Sequence, residues 1–290
     1  WNAAQMGPRR DVLGEIRAEA EKRGIVFCAS NHRAEHCWFF CGGTRIPSDV
    51  PQNPELYGEP IWMDSDVRAI HNLYAPTPPR DHLEDWLARV SELVDNYRPQ
   101  VVYFDCWVQN VAFRAYLKAF AAYYYNRAVE WGVEVAINDK YCGFMPGSAV
   151  LDVERGRLEH IRPAMWQTCT SVAKNSWGYT EDNEFKSPVD LVRDLVDIVS
   201  KNGNMLLNIG PRADGTITRE DRQVLLSIGK WLEQNGEGIY GTRPWTRCAE
   251  GPTQLSTGAF TENERPDFTP EDIRYTYRPG RIYAFCMRCP

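Results

Sequence analysis

The run VVYFDCW, residues 101 to 107, places an acid where an apolar strand would end: Val101, Val102, Tyr103 and Phe104 read as buried, and Asp105 follows them. A carboxylate in such a place can attack an electrophilic carbon, cap a helix or neutralise a buried arginine. The pattern recurs along the chain. GIVFCAS leads to Ser30, Asn31 and His32, VEVAIN leads to Asn138, Asp139 and Lys140, and MLLNIG carries Asn208. A second chemistry is raised by Cys37 and Cys41 with His32 and His36 nearby, which are zinc-ligand types. The further cysteine pair that a structural zinc site needs is not at finger-like spacing, and Trp38, Phe39 and Phe40 between them read as core. No metal is therefore expected.

These groups need elements to carry them. Val12, Ile16 and Ala20 recur at helical spacing between Asp11 and Arg23, and residues 24 to 30 follow as a buried strand. Leu83, Trp86, Leu87, Val90, Val94 and Tyr97 mark one face of a second helix, with Asp81 as its N-cap and Pro99 behind it. Residues 111 to 131 form a third helix closed by Gly132, and residues 133 to 138 a strand. Leu191, Leu195, Ile198 and Val199 form a fourth helix before MLLNIG, and the last helix runs from about Arg219 to Gln234. Helices alternating with continuous apolar strands imply a parallel sheet covered by helices. In a (β/α)8 barrel, and equally in a doubly wound sheet, the C-terminal strand ends carry the site. No GxGxxG or GxxxxGK[ST] opens any helix, which favours the barrel over a nucleotide-binding sheet. After Trp245 the pattern turns to short alternating segments, IRYTYR (273 to 278) and RIYAFCM (281 to 287), expected as antiparallel strands of a small β domain.

Composition bounds the rest. The 290 residues carry a net charge of -6 with both signs interspersed, so no basic footprint for nucleic acid is present. Apolar runs fall short of the roughly 20 residues that cross a bilayer, so no membrane span is expected. The ten Trp and 14 Tyr suit either a large core or a sugar-stacking surface. Cys28, Cys106 and Cys169 sit in or beside apolar runs, where free cysteine behaves as a small hydrophobe. The chain opens on WNAAQMGPRRD, so its true beginning is expected upstream, and both a cytoplasmic and a secreted or periplasmic location stay open.

Four segments narrow the reading. KNGNMLLNIGPRADGTI (201 to 217), SWGY (176 to 179), VVYFD (101 to 105) and SNHRAEHCWFF (30 to 40) together resemble family 29 glycoside hydrolases, the α-L-fucosidases. The resemblance implies an α/β fold, a (β/α)8-like (TIM) barrel, here over residues 1–245 and lacking its first strands, followed by the start of a C-terminal β-sandwich at 246–290. It implies hydrolysis of terminal α-L-fucose from a fucosylated oligosaccharide or glycoconjugate, with retention of configuration and without cofactor or metal. A homo-oligomer stays open.

A retaining glycosidase uses two carboxyl groups about 5 Å apart, one as nucleophile and one as acid then base. By the resemblance Asp105 is the nucleophile. Glu154 in LDVERG is the acid/base, expected on a loop, with Asp152 and Glu159 as fallbacks; otherwise Glu154 is a surface acid pairing with Arg155 or Arg157. Sugar contacts fall to His32, Glu35, His36, Tyr103, Lys140 and Trp177, with Tyr179 beside the last and Trp38 packing. Gln167 stands where many relatives have Glu, and is read as a substrate-positioning or supporting residue. Lys140 stands where the family has Arg, keeping the charge without the bidentate fork. The family's Lys-His-His-Asp-Gly segment has no counterpart, which motivates the alternative of a catalytically impaired fucose-binding barrel or a non-functional fragment.

Overall fold

A computed structural model describes residues 2–36 and 77–289. Cys37, Trp38 and Cys41 lie outside the described residues. The chain divides into two compact units, Trp1–Leu151 and Asp152–Pro290.

In the first unit, Asp11 caps helix α1 (Val12–Lys22) by accepting the Gly14 N–H at 3.0 Å. Strand β1 (Cys28–Asn31) pairs in parallel with β2 (Val101–Phe104), and β2 with β3 (Ala136–Lys140). The register sets Asn31 beside Phe104 and Phe104 beside Asp139, so the polar residues gather at one end of the three strands. Helix α2 (Arg80–Tyr97) turns His82, Leu83, Trp86, Val90 and Val94 inward. It starts one residue before Asp81: Pro79 occupies the cap position, and the Asp81 carboxylate accepts the adjacent His82 N–H from the first turn. Arg98 in the left-handed region and then Pro99 end it. Helix α3 (Arg114–Trp131) stops at Gly132, whose φ of +67° needs no Cβ.

Trp86, Phe104, Phe113, Phe120 and Tyr124 form the core of this unit, with the Trp86 ring 5.5 Å from Phe104 and 5.3 Å from Phe113. Burying each such side chain contributes about 1.5–3 kcal/mol. Much of the aromatic excess is thus core. Two expectations fail at the N-terminal side. No residue of α1 is buried, and Ile25 and Val26, read as strand core, are each 58% exposed. Cys28 is exposed as well. The reason is that β1 has a strand partner on one side only among the described residues.

The second unit begins within β4 (Val150–Glu154). Strand β5 (Trp166–Ser171) pairs in parallel with β6 (Gly203–Asn208), and helix α4 (Pro188–Ser200), capped by the Ser187 hydroxyl, joins them. Gly203 is required there, since a Cβ would lie 2.6 Å from the Trp166 ring. Helix α5 (Arg219–Asn235) is capped by Thr218, which accepts the Asp221 N–H. An antiparallel sheet of β7 (Arg243–Glu250), β8 (Ile273–Arg278) and β9 (Arg281–Cys286) follows. Both sequence-expected segments are strands. The fold class is α/β: parallel strands alternating with helices, a partial (β/α)8-like barrel, followed by three antiparallel strands.

Candidate active site

Asp105 is the first residue beyond β2, and its side chain is 21% exposed. The Lys140 ammonium, on the last residue of β3, donates to its Oδ1 at 2.6 Å. The sequence reading stopped that strand at Asn138. Its extension to residue 140 buries the lysine and points the cation at the neighbouring strand's acid. Lys140 Nζ also lies 5.7 Å from the Tyr103 ring centroid, which ties the aromatic wall expected at Tyr103 to the same charge.

The other carboxylate oxygen of Asp105 lies 3.5 Å from His32 Nδ1, and the same nitrogen is 2.8 Å from Glu35 Oε1. The hydrogen bond to Glu35 raises the His32 pKa above its ordinary value; burial and Lys140 oppose this, and the charges of Glu35 and Asp105 add to it. A short 3-10 turn, Arg33–Glu35, folds Glu35 back onto His32. One donor atom each from His32, Glu35 and Asp105 falls within 4.8 Å of the others, a spacing that three metal ligands would share. Lys140 already supplies a positive charge to this set. His36 turns elsewhere: its Nδ1 lies 2.9 Å from Arg33 Nη1, and Arg33 pairs with Asp85 at 3.0 Å.

Asp139, next to Lys140, was not singled out for chemistry. It is buried, accepts the Phe144 N–H at 3.0 Å and anchors the loop after β3. Burial pushes its pKa up to about 7, against the hydrogen bonds from the Phe144 and Gly143 backbone.

In the second unit Glu154 is the last residue of β4, half-buried, rather than part of a loop. The arginines expected to pair with it go elsewhere, Arg155 to Glu262 at 2.7 Å and Arg157 to Asp194 at 3.4 Å. Of the fallbacks, Glu159 is an exposed surface acid 3.4 Å from His160. Asp152 is buried and accepts from Gln167 Nε2 at 2.6 Å and from the Cys169 thiol at 2.9 Å. Gln167 therefore holds a neighbouring carboxylate, which an amide does better than a second acid would.

Trp177 is 39% exposed, and the Arg155 guanidinium lies 4.1 Å from its ring centroid. Arg212 similarly covers Tyr179 at 5.3 Å. The Asn208 amide donates to the Trp177 carbonyl, and a Cβ on Gly210 would lie 2.6 Å from both Gly178 C and Tyr179 N. The NIGPRADG and SWGY segments are thus two faces of one loop contact. Arg155 was missed as more than a surface partner; the signal was its place between Glu154 and Gly156, a glycine that the Gly258 backbone approaches too closely for any side chain.

The alpha-L-fucosidase family model matches residues 1–237. Tissue alpha-L-fucosidase of Rattus norvegicus is 29% identical over 254 residues, which cover 84% of this chain and 48% of that protein. A solved alpha-L-fucosidase superposes with a TM-score of 0.72 at 27% identity, over 100% of this chain and 56% of that one. The crystal structure of Thermotoga maritima alpha-fucosidase in complex with fucose gives 0.67 at 29% identity, over 98% and 55%. The chain spans about half the length of these relatives. With strand-end acid, flanking cation and loop contact described and the family model matched over most of its length, the chain belongs to the alpha-L-fucosidase family.

Proposed function

We propose that this chain carries the chemistry of a retaining exo-α-L-fucosidase acting on fucosylated oligosaccharides or glycoconjugates. The observation that supports it most is the Asp105 carboxylate at the end of β2, partly exposed, with Lys140 2.6 Å from one oxygen and His32 3.5 Å from the other. Two neighbours, one on each oxygen, hold a carboxylate in one orientation, as an attacking group must be held. In this reading Asp105 attacks the anomeric carbon while Glu154 protonates the departing glycosidic oxygen. Glu154 then takes a proton from water as the fucosyl ester is hydrolysed, and configuration is retained after two inversions. His32 and Glu35 contact sugar hydroxyls, and Tyr103 and Trp177 wall the apolar face; His36, turned toward Arg33, is left out of the contact set. Residues 1–245 form the catalytic segment and 246–290 the β-sandwich segment.

A second assignment of the acid/base has one observation in its favour: a Glu35 oxygen lies within 4.8 Å of an Asp105 oxygen. Azide rescue separates the two. Hydrolysis of an aryl α-L-fucoside should disappear in Asp105→Ala, and azide should restore turnover to Glu154→Ala but not to Glu35→Ala; the reverse pattern moves the role to Glu35. NMR of the first-formed anomer tests retention. Fucose binding by calorimetry with no turnover in the parent chain would favour the impaired, binding-only alternative.

A further inference from the structure

Beyond β7, the chain returns to the end of β4. Gly258 and Arg157 exchange backbone hydrogen bonds at 2.8 and 3.3 Å, the Phe260 N–H donates to the Glu154 carbonyl at 2.8 Å, and the Glu262 N–H donates to the Arg155 carbonyl at 2.9 Å. The Glu262 side chain is buried with three partners. Its Oε1 accepts from Arg155 at 2.7 Å and from Lys186 at 2.8 Å, and its Oε2 from the Thr170 hydroxyl. Burial alone would raise its pKa, yet the hydrogen bonds from Lys186 and Thr170 and the charges around it hold it below the usual carboxylate range. It is therefore an anion set between two buried cations.

Arg155 occupies the left-handed region, with φ of +45°, which a side chain rarely adopts unless its surroundings impose it. Its guanidinium donates to the carbonyls of Lys174 at 3.2 Å and Ser176 at 3.1 Å and lies over the Trp177 ring, 4.1 Å from its centroid. One side chain thus holds the loop that leads into SWGY, the ring at its exposed end and the backbone turn directly after Glu154.

We infer that Glu262 is a positioning residue: by neutralising and orienting Arg155, it sets the plane of Trp177 and the direction in which Glu154 leaves β4. The inference rests on the roles assigned above to Glu154 and Trp177. It makes the segment after β7 a working part of the site. Losing the Glu262 charge leaves Arg155 and Lys186 facing each other, and the guanidinium moves off the ring.

The test uses the whole chain with Glu262→Gln, and the double variant Glu262→Gln with Lys186→Met, which restores the charge balance if the single variant folds poorly. Acrylamide quenching of Trp177, isolated by difference from Trp177→Phe backgrounds, should rise about twofold as the stacked face is uncovered. Turnover of an aryl fucoside with a poor leaving group, which needs acid assistance, should fall about tenfold or more, and that of an activated one should stay within about twofold. Unchanged quenching, or equal losses on both substrates, overturns the inference. If the parent chain hydrolyses neither substrate, the functional reading fails by itself; Trp177 quenching then decides the positioning role, a rise supporting it and no change overturning it.

Discussion

Lys140 presents Asp105 with a point charge rather than a guanidinium fork. An ammonium 2.6 Å from one oxygen of Asp105 leaves the other to face His32, so the acid is gripped by the last residue of β3 and the first residue beyond β1. Replacing Lys140 with Met should lower kcat for an aryl fucoside about 100-fold with a smaller change in KM, as expected when a preorganised charge is removed from a reacting group; steady-state kinetics check this. His32 gives a pH signature. Its pKa is raised, so the charged contact is complete below the ordinary value of about 6.5 and is lost as pH rises through the raised value. An NMR titration should place the His32 midpoint above that ordinary value, and Glu35→Gln should bring it down. Asp105, His32 and Lys140 were legible because each closes an apolar run, whereas Glu35, in the turn beyond, was named only through the resemblance. The turn of His36 toward Arg33 was not, since it depends on Asp85, 52 residues further along.

At the scale of elements, strand ends and loops are fixed by a few close approaches. Gly210 lets the loop after β6 touch Gly178 backbone to backbone. Gly210→Ala should displace SWGY, raising KM for fucosides and lowering the melting temperature by the few degrees that about 1–2 kcal/mol represents; calorimetry and kinetics on the same sample would show both. Strand β3 carries a buried acid, Asp139, just before its last residue. Because the pKa of Asp139 is raised to about 7, its contribution to stability is full below the ordinary value of about 4 and is lost as pH rises through about 7. Asp139→Asn should flatten that loss, so the denaturant midpoints of the two proteins should diverge between about pH 4 and about 7, in the variant's favour as pH rises, and keep a constant difference above that. The sequence reading found most helices and strands by period. It placed Glu154 of LDVERG on a loop through the resemblance, and only the surrounding chain shows that Glu154 ends a strand.

Across the whole molecule, the alternation of helix and apolar strand was enough to indicate a parallel sheet covered by helices, since parallel strands need helical crossovers; the partial barrel came from the missing nucleotide motifs and the resemblance. What the pattern did not carry was coverage. Periodicity marks α1 and the 24 to 27 segment as apolar, yet Ile16, Ile25 and Val26 stay exposed. The net charge of -6 predicts that solubility is lowest near the isoelectric point of about 5.5 and recovers above pH 7; light scattering against pH would test it. One backbone feature reaches further. Trp107, Tyr141 and Arg155, each within two residues of Asp105, Lys140 or Glu154, all have positive φ although none is glycine. Glycine would relax the backbone at each, but at Trp107 and Arg155, both buried, the lost packing and ion pair outweigh that relief, so a laboratory search for heat-tolerant variants should return to Tyr141. Each gain there would be drawn from the aim of a neighbouring functional side chain, which makes this turn a place where durability and turnover compete during evolution.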